Sequence, residues 1–391
     1  MSVTLRELYE AVKEKEEITL VAGETGMDHI VRWVHMVEGI DISSFLEGDE
    51  IAFTTGIALP DISGLLELVE YNHRQQAAGM VINVGPYIKE IPKEVLEFGD
   101  KNGFPIFRVP WRVHMANIMR DFSTQIHLDE QKKMEVEVAV KNSFYFPDNQ
   151  EMYLPALLRH GYKREWSYCV AVFEILSGDY LAIGAEEKKR FLRFAQSAMR
   201  SWQKHALIME NGGDIQIFCV NVTEQQLQEK LDTLWQEARK YQICDGFLFC
   251  GIGSAVKNIG QIGHSFAQAD QIKRLQKRRH RENQIMTYEE MGLYKLLFSL
   301  EGQEVLEEYY GETLGALEKY DHANETDYSY FLKKYFELEC SVQEVAAELH
   351  MHRNSVTYKL HKIEEILGIS LNTPQNRTKI IIAFMIQELR G

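Results

Sequence analysis

SVQEVAAELHMHRNSVTYKLHKIEEILGISL, residues Ser341 to Leu371, decides how the end of this chain is read. Val342, Val345, Ala346 and Leu349 recur at helical spacing and give a short helix one apolar face. LHMH then breaks the period, and Val356, Leu360, Ile363 and Leu367 resume it at i, i+4, i+7 and i+11. Two short helices joined by a three-residue turn make a helix-turn-helix, placed at 341–367. With the second series packed inward, Arg353, Asn354, Thr357 and His361 fall toward the opposite face. Arg offers a bidentate fork to guanine, Asn pairs with adenine, and Thr or Lys holds phosphate, to which the helix start adds free N–H groups. Arg353, Lys359 and Lys362 precede any carboxylate on this helix, and Glu364 and Glu365 come only near its end. One such unit touches few base pairs, so useful specificity for double-stranded promoter DNA requires a homodimer or higher homo-oligomer. A helical hairpin that packs against protein and merely solvates its polar side chains fits the same periodicity.

The rest of the chain is acidic. Its 391 residues carry a formal net charge of −15, and the pI is near 5.4. This balance argues against diffuse binding to nucleic acid but leaves room for one local site. The length allows two or three cores. A hydrophobic fraction of 45% with 26% charged residues is that of a folded soluble protein. The apolar run IIIAFMI is too short to span a bilayer, and MSVTLRELYEAVKEKEE lacks the basic start and apolar core of a secretion signal. A cytoplasmic protein without membrane contact is expected. Cys169, Cys219, Cys244, Cys250 and Cys340 are odd in number and show no paired metal spacing, so they read as reduced core thiols, with no metal and no cofactor.

The expected fold class is α/β, twice, followed by an all-α domain. In residues 1–121, HIVRWVHMVE, AAGMVINVG and FPIFRVP read as strands and ISGLLELVEYNHRQQA, from Ile62, as a helix. A connecting helix is expected at 122–140. Residues 141–285 interleave strands YCVAVFEIL, ALIMEN, DIQIFCV and GFLFCGIG with helices such as TEQQLQEKLDTLWQEARKY. Asn211 to Gly213 supply a hairpin turn, and a joint is expected around 271–287. Residues 286–391 read as helical.

Three further stretches bear on chemistry. EGDEIAFTTG ends a polar turn and enters a strand, which would set Asp49, Glu50, Thr54, Thr55 and Gly56 near one strand terminus, with His35 and Glu38 from VHMVE. Such a cluster suits a small polar ligand, although ordinary turn chemistry uses the same residues. Gly212 to Asp214 spell GGD, but Ile215 and Gln216 follow where a nucleotide cyclase needs a further acid, and GIGSAV lacks the Gly-Lys-Ser/Thr ending of a phosphate loop. No enzyme is expected; a nucleotide-processing middle domain and a protein-interaction module stand as alternatives. KRLQKRRHRE, Lys273 to Glu282, is either a phosphate-contacting cluster or a solvated helix end.

The chain resembles the PucR family of bacterial transcription regulators. The resemblance is carried at the C-terminus by His352, Arg353, Asn354 and Ser355, by Tyr358, Lys359 and Leu360, and by Leu367 with Gly368. The family often has Arg at the positions of Thr357 and Lys359, so this helix is less basic than its relatives. RWVHMVEGIDISSFLEGDEIAFTTGIAL is similar to the family's sensory domain, GIGSAVKNIGQIGHSFAQADQ to its degenerate GGDEF-like domain, and LEKYDHANETDYSYFLKKYFE to the helical run before the DNA-binding motif. The resemblance implies His352, Arg353, Asn354, Ser355, Thr357, Tyr358, Lys359, His361 and Lys362 as the DNA-facing set. It further implies a metabolite sensor, a relay or dimer contact in the middle domain, and control, often activation, of purine or amino-acid catabolic genes by a purine or amino-acid effector.

Overall fold

Thr4 opens the fold by capping its first helix, α1 (Leu5–Val12): its hydroxyl accepts the Glu7 N–H at 3.2 Å, and the Glu7 carboxylate accepts the Thr4 N–H at 2.9 Å. The computed structural model describes residues 3–59, 63–203, 205–300 and 303–390. It divides into two compact units, residues 1–163 and 164–391.

In the first unit α1 is followed by β1 (Thr19–Ala22), β2 (Trp33–Met36), α2 (Ile40–Ser43), β3 (Glu50–Thr54), α3 (Gly64–Arg74), β4 (Gly79–Val84), α4 (Lys93–Asn102), β5 (Ile106–Pro110), α5 (Met115–Tyr145) and α6 (Leu154–Arg159). The sheet order is β1-β5-β4-β3-β2. Strands β2 to β5 are mutually parallel, and β1 runs antiparallel to β5. Both faces are covered, which is why these strands read as near-continuous apolar runs. Ile51, Phe53, Val81 and Phe107 pack with Leu5, Leu8, Ile118 and Phe122 of α1 and α5. Ala52, Met80, Ile82 and Ile106 pack with Leu65, Leu68 and Val95 of α3 and α4. Ile62, where the sequence starts α3, lies outside the described residues. The connecting helix expected at 122–140 is part of one uninterrupted 31-residue helix that already lies in this core at Met115.

The second unit contains β6 (Tyr168–Leu176), α7 (Ala185–Trp202), β7 (Leu207–Asn211), β8 (Asp214–Val220), α8 (Glu224–Lys240), β9 (Phe247–Ile252), α9 (Ile262–Arg278) and β10 (Gln284–Thr287). Its sheet order is β10-β9-β6-β8-β7, antiparallel except for β9 beside β10. Asn211 pairs with Asp214 across a turn in which Gly212 and Gly213 take φ of 61° and 102°, the hairpin the sequence predicts. The glycines of GIGSAV have a packing role. A Cβ on Gly251 would lie 2.2 Å from the Ala269 carbonyl oxygen, and one on Gly253 would lie 1.9 Å from that of Ser265, so α9 sits directly on the sheet. Cys169, Cys219, Cys244 and Cys250 are buried free thiols, raised in pKa by burial, Cys244 to about 12. Cys340 is a half-buried free thiol.

The joint expected around 271–287 is not a loose linker, and the purely helical part begins after it. Residues 271–287 complete α9 and add β10 to the sheet, because QIMT is too short to announce a strand but pairs fully with β9. The chain then enters α10 (Tyr294–Ser299), α11 (Gln303–Asn324), α12 (Tyr328–Glu337), α13 (Val342–Glu348), α14 (Arg353–Leu367) and α15 (Pro374–Leu389). Leu314, Leu317, Phe331, Val345, Val356, Ile363 and Ile380 share one core. The architecture is thus α/β, α/β and all-α in chain order.

Candidate nucleic-acid interface

Local chemistry fixes α13 and α14. Ser341 caps α13 by accepting the Glu344 N–H at 3.3 Å. The turn comprises Leu349 to His352, four residues where the spacing suggested three, with His350 at φ 51°. His352 is consumed as a cap: its Nδ1 accepts the Asn354 N–H at 3.2 Å. Gly368, at φ 65°, ends α14 by donating its N–H to the Glu364 carbonyl at 2.9 Å. The Glu364 carboxylate accepts the Leu371 N–H at 2.7 Å and fixes the exit toward α15.

Val356 and Ile363 are buried, with Leu360 and Leu367 packed beside them, as the periodicity requires. Arg353, Asn354, Ser355, Thr357, Tyr358 and His361 are exposed, and Tyr358 is 67% accessible. The Thr357 hydroxyl donates to the Arg353 carbonyl at 3.1 Å, and His361 Nδ1 lies 3.2 Å from Glu364. Lys362 donates to Glu365 at 2.9 Å, a hydrogen bond that raises its pKa. Lys359 is drawn away from the other polar groups. Its ammonium lies 2.9 Å from Asp327 and 5.6 and 5.2 Å from the ring centroids of Tyr328 and Phe331, so it braces α14 against the start of α12. The leading end of α14 therefore presents Arg353, Asn354, Ser355 and Tyr358. Residues 331–391 hold eight Lys and Arg against seven Glu, an almost neutral segment in an acidic chain.

The basic stretch beginning at Lys273 is mostly engaged within the protein. Lys273 is 5% exposed and lies 2.5 Å from Asp214 and 3.0 Å from Asp270. Arg274 pairs with Asp270, Lys277 with Glu174 and Arg279 with Glu388, while Arg278 donates to the carbonyl of Glu388 at 3.1 Å. Any cation approaching Asp214, the acid of GGD, would have to displace an ammonium group. Among the described residues no group of three or more His, Cys, Asp or Glu is placed to hold a metal.

In the first unit the residues read as a ligand cluster separate into two groups. Glu38 accepts hydrogen bonds from the Thr54 hydroxyl at 3.1 Å, the Thr55 N–H and hydroxyl at 3.1 and 2.8 Å, and the Gly56 N–H at 3.0 Å. This is a donor-rich nest at the carboxyl end of β3. Asp49 and Glu50 lie at the opposite end of that strand, about 13 Å away at ~3.3 Å per residue. There Asp49 pairs with Arg32 at 2.9 Å, and Glu50 accepts the Glu47 N–H at 2.8 Å. The expectation that all five share one strand terminus is thus corrected: Glu50 opens β3 and Thr54 closes it, so the length of the strand separates the two polar groups. His35 lies between, paired with Ala52. The sequence reading missed Asn83, buried and donating to the Val109 and Pro110 carbonyls at 3.4 and 3.3 Å, and the exposed edge-to-face pair Tyr87 and Trp111. A polar Asn inside MVINV was the available signal.

Residues 9–126 match the model of the purine catabolism regulatory protein-like family, residues 151–275 that of the GGDEF-like domain, and residues 331–386 that of the PucR C-terminal helix-turn-helix domain. Three relatives come from Bacillus subtilis (strain 168). The purine catabolism regulatory protein is 31% identical over 32% of this chain and 23% of its own length. The proline-responsive transcriptional activator PutR is 25% identical over 36% and 34%. The DNA-binding transcriptional activator AdeR is 23% identical over 41% and 38%. The matches thus span well under half of each relative. No described helix is long and apolar enough to cross a membrane. With its three matched regions in this order, the chain belongs to the PucR family, with a PucR-like N-terminal domain, a GGDEF-like middle domain and a C-terminal helix-turn-helix domain.

Proposed function

We propose that the protein is a cytoplasmic, homo-oligomeric transcription regulator that binds promoter DNA through α14 and responds to a small-molecule effector. Residues 1–121 are read as the sensor, 122–140 as the connecting helix, 141–285 as a non-enzymatic relay and 286–391 as the DNA-binding domain. The observation that carries the reading is the leading end of α14, where Arg353, Asn354, Ser355 and Tyr358 are exposed in a family-matched helix-turn-helix. The effector is assigned to the Glu38, Thr54, Thr55 and Gly56 cluster, because ligands of parallel sheets gather at the carboxyl ends of strands. The names of the relatives support a purine or amino-acid effector and an activating role at catabolic genes.

The test is binding of the full chain to DNA upstream of its own and neighbouring genes, titrated against salt, with and without purines and amino acids. Saturable, sequence-selective binding whose affinity falls as salt rises is expected, with a ligand-dependent change. Binding that ignores sequence under every condition overturns the reading.

A further inference from the structure

A cavity of about 110 Å³ lies in the second unit where the end of α9 meets β10 and α10. Leu275, Met286 and Met291 form its apolar lining, and Gln276, Arg279, Arg281, Glu290 and Tyr294 its polar one. Its volume is that of roughly four waters, enough for a short organic molecule.

The polar lining already binds a carboxylate of the protein itself. Glu388, near the end of α15, has one oxygen 3.3 Å from Arg279 Nε that also accepts the Tyr294 hydroxyl. Its other oxygen is 3.0 Å from Lys333 Nζ. Arg281 also lines the cavity, and it has no carboxylate within ion-pair distance among the described residues. Gln276 is 2% exposed; its Oε1 accepts the Cys250 N–H at 2.8 Å, while its Nε2 has no hydrogen-bond partner among the described residues. A buried amide donor left unpaired is costly and favours an acceptor brought by a ligand. Glu290, the acid of the lining, accepts the Thr287 N–H at 2.7 Å and a Gln228 amide hydrogen at 3.2 Å, and Arg279 already faces Glu388, so Arg281 is the lining cation left to meet a bound anion.

We propose that this cavity binds a short-chain monocarboxylate, its carboxylate held by Arg281 beside Arg279 and Gln276 and its alkyl end on Leu275, Met286 and Met291. The bound acid competes with Glu388 for Arg279, which couples occupancy to the anchoring of α15. The inference stands apart from the DNA-binding reading and is tested without DNA.

The experiment is isothermal titration of the full chain with sodium propionate and sodium butyrate, against sodium chloride at equal ionic strength. Saturable binding near one equivalent is expected. Arg281→Gln should weaken it at least tenfold, Met286→Phe should block it by filling the cavity, and Glu388→Gln should tighten it by removing the competing charge. No saturable heat beyond the chloride control overturns the proposal. So does binding that survives both Arg281→Gln and Met286→Phe, or chloride saturating the site with equal affinity. Far-ultraviolet circular dichroism confirms that each variant is folded, and Met286→Phe decides if Arg281→Gln is not.

Discussion

Two basic residues on one helix face opposite tasks. Arg353 is exposed at the leading end of α14, so Arg353→Ala should leave thermal stability unchanged and cost about 1–3 kcal/mol of sequence-specific DNA binding. Lys359 is held by Asp327 and two rings, so Lys359→Ala should lower stability by about 1 kcal/mol and change base preference little. Paired denaturant melts and DNA titrations separate the two outcomes. The exposed side of α14 was therefore partly legible in the sequence. Exposure at Arg353, Asn354, Thr357 and His361 follows from a helical period, whereas the recruitment of Lys359 depends on Asp327, 32 residues earlier, which no local pattern connects to it. The same limit applied at β3. The sequence announced a strand with Asp49, Glu50, Thr54, Thr55 and Gly56 at one terminus, whereas Glu50 begins it and Thr54 ends it.

At the scale of elements, strong periodicity was enough for β6, β8 and α8, while the four-residue β1 and β10 escaped because each is a strand only through its neighbour. Element junctions carry much of the remaining order. Asp321 accepts the Tyr328 and Ser329 N–H groups at 2.8 and 2.7 Å and the Thr326 hydroxyl at 2.7 Å, joining α11 to the start of α12. Burial opposes ionisation of this carboxyl, but those hydrogen bonds outweigh it and hold the pKa below the ordinary value. The stabilisation is present above the unfolded carboxyl's ordinary pKa, about 3.9. It is lost as pH falls through the lower folded value. Asp321→Asn should cost about 1 kcal/mol at neutral pH, the usual worth of a side-chain cap. That cost should shrink toward zero in strong acid, as denaturant unfolding at a series of pH values would show.

For the whole molecule, the division at Lys163 and Arg164 gives a direct expectation. Both residues are exposed and lie outside regular structure between α6 and β6, in a segment that joins two separately compact units. Brief trypsin treatment should cut there early and leave two protease-resistant fragments, read by mass spectrometry. Persistence of the full chain while cuts accumulate elsewhere would contradict the division. Lys273 is seated between Asp214 and Asp270. An ammonium tethered to the backbone cannot be diluted, chelated or exchanged, so these carboxylates have a counter-ion whose supply never varies. Melting temperature should therefore be the same in excess magnesium and in excess chelator, and the Lys273→Met variant should make the two differ.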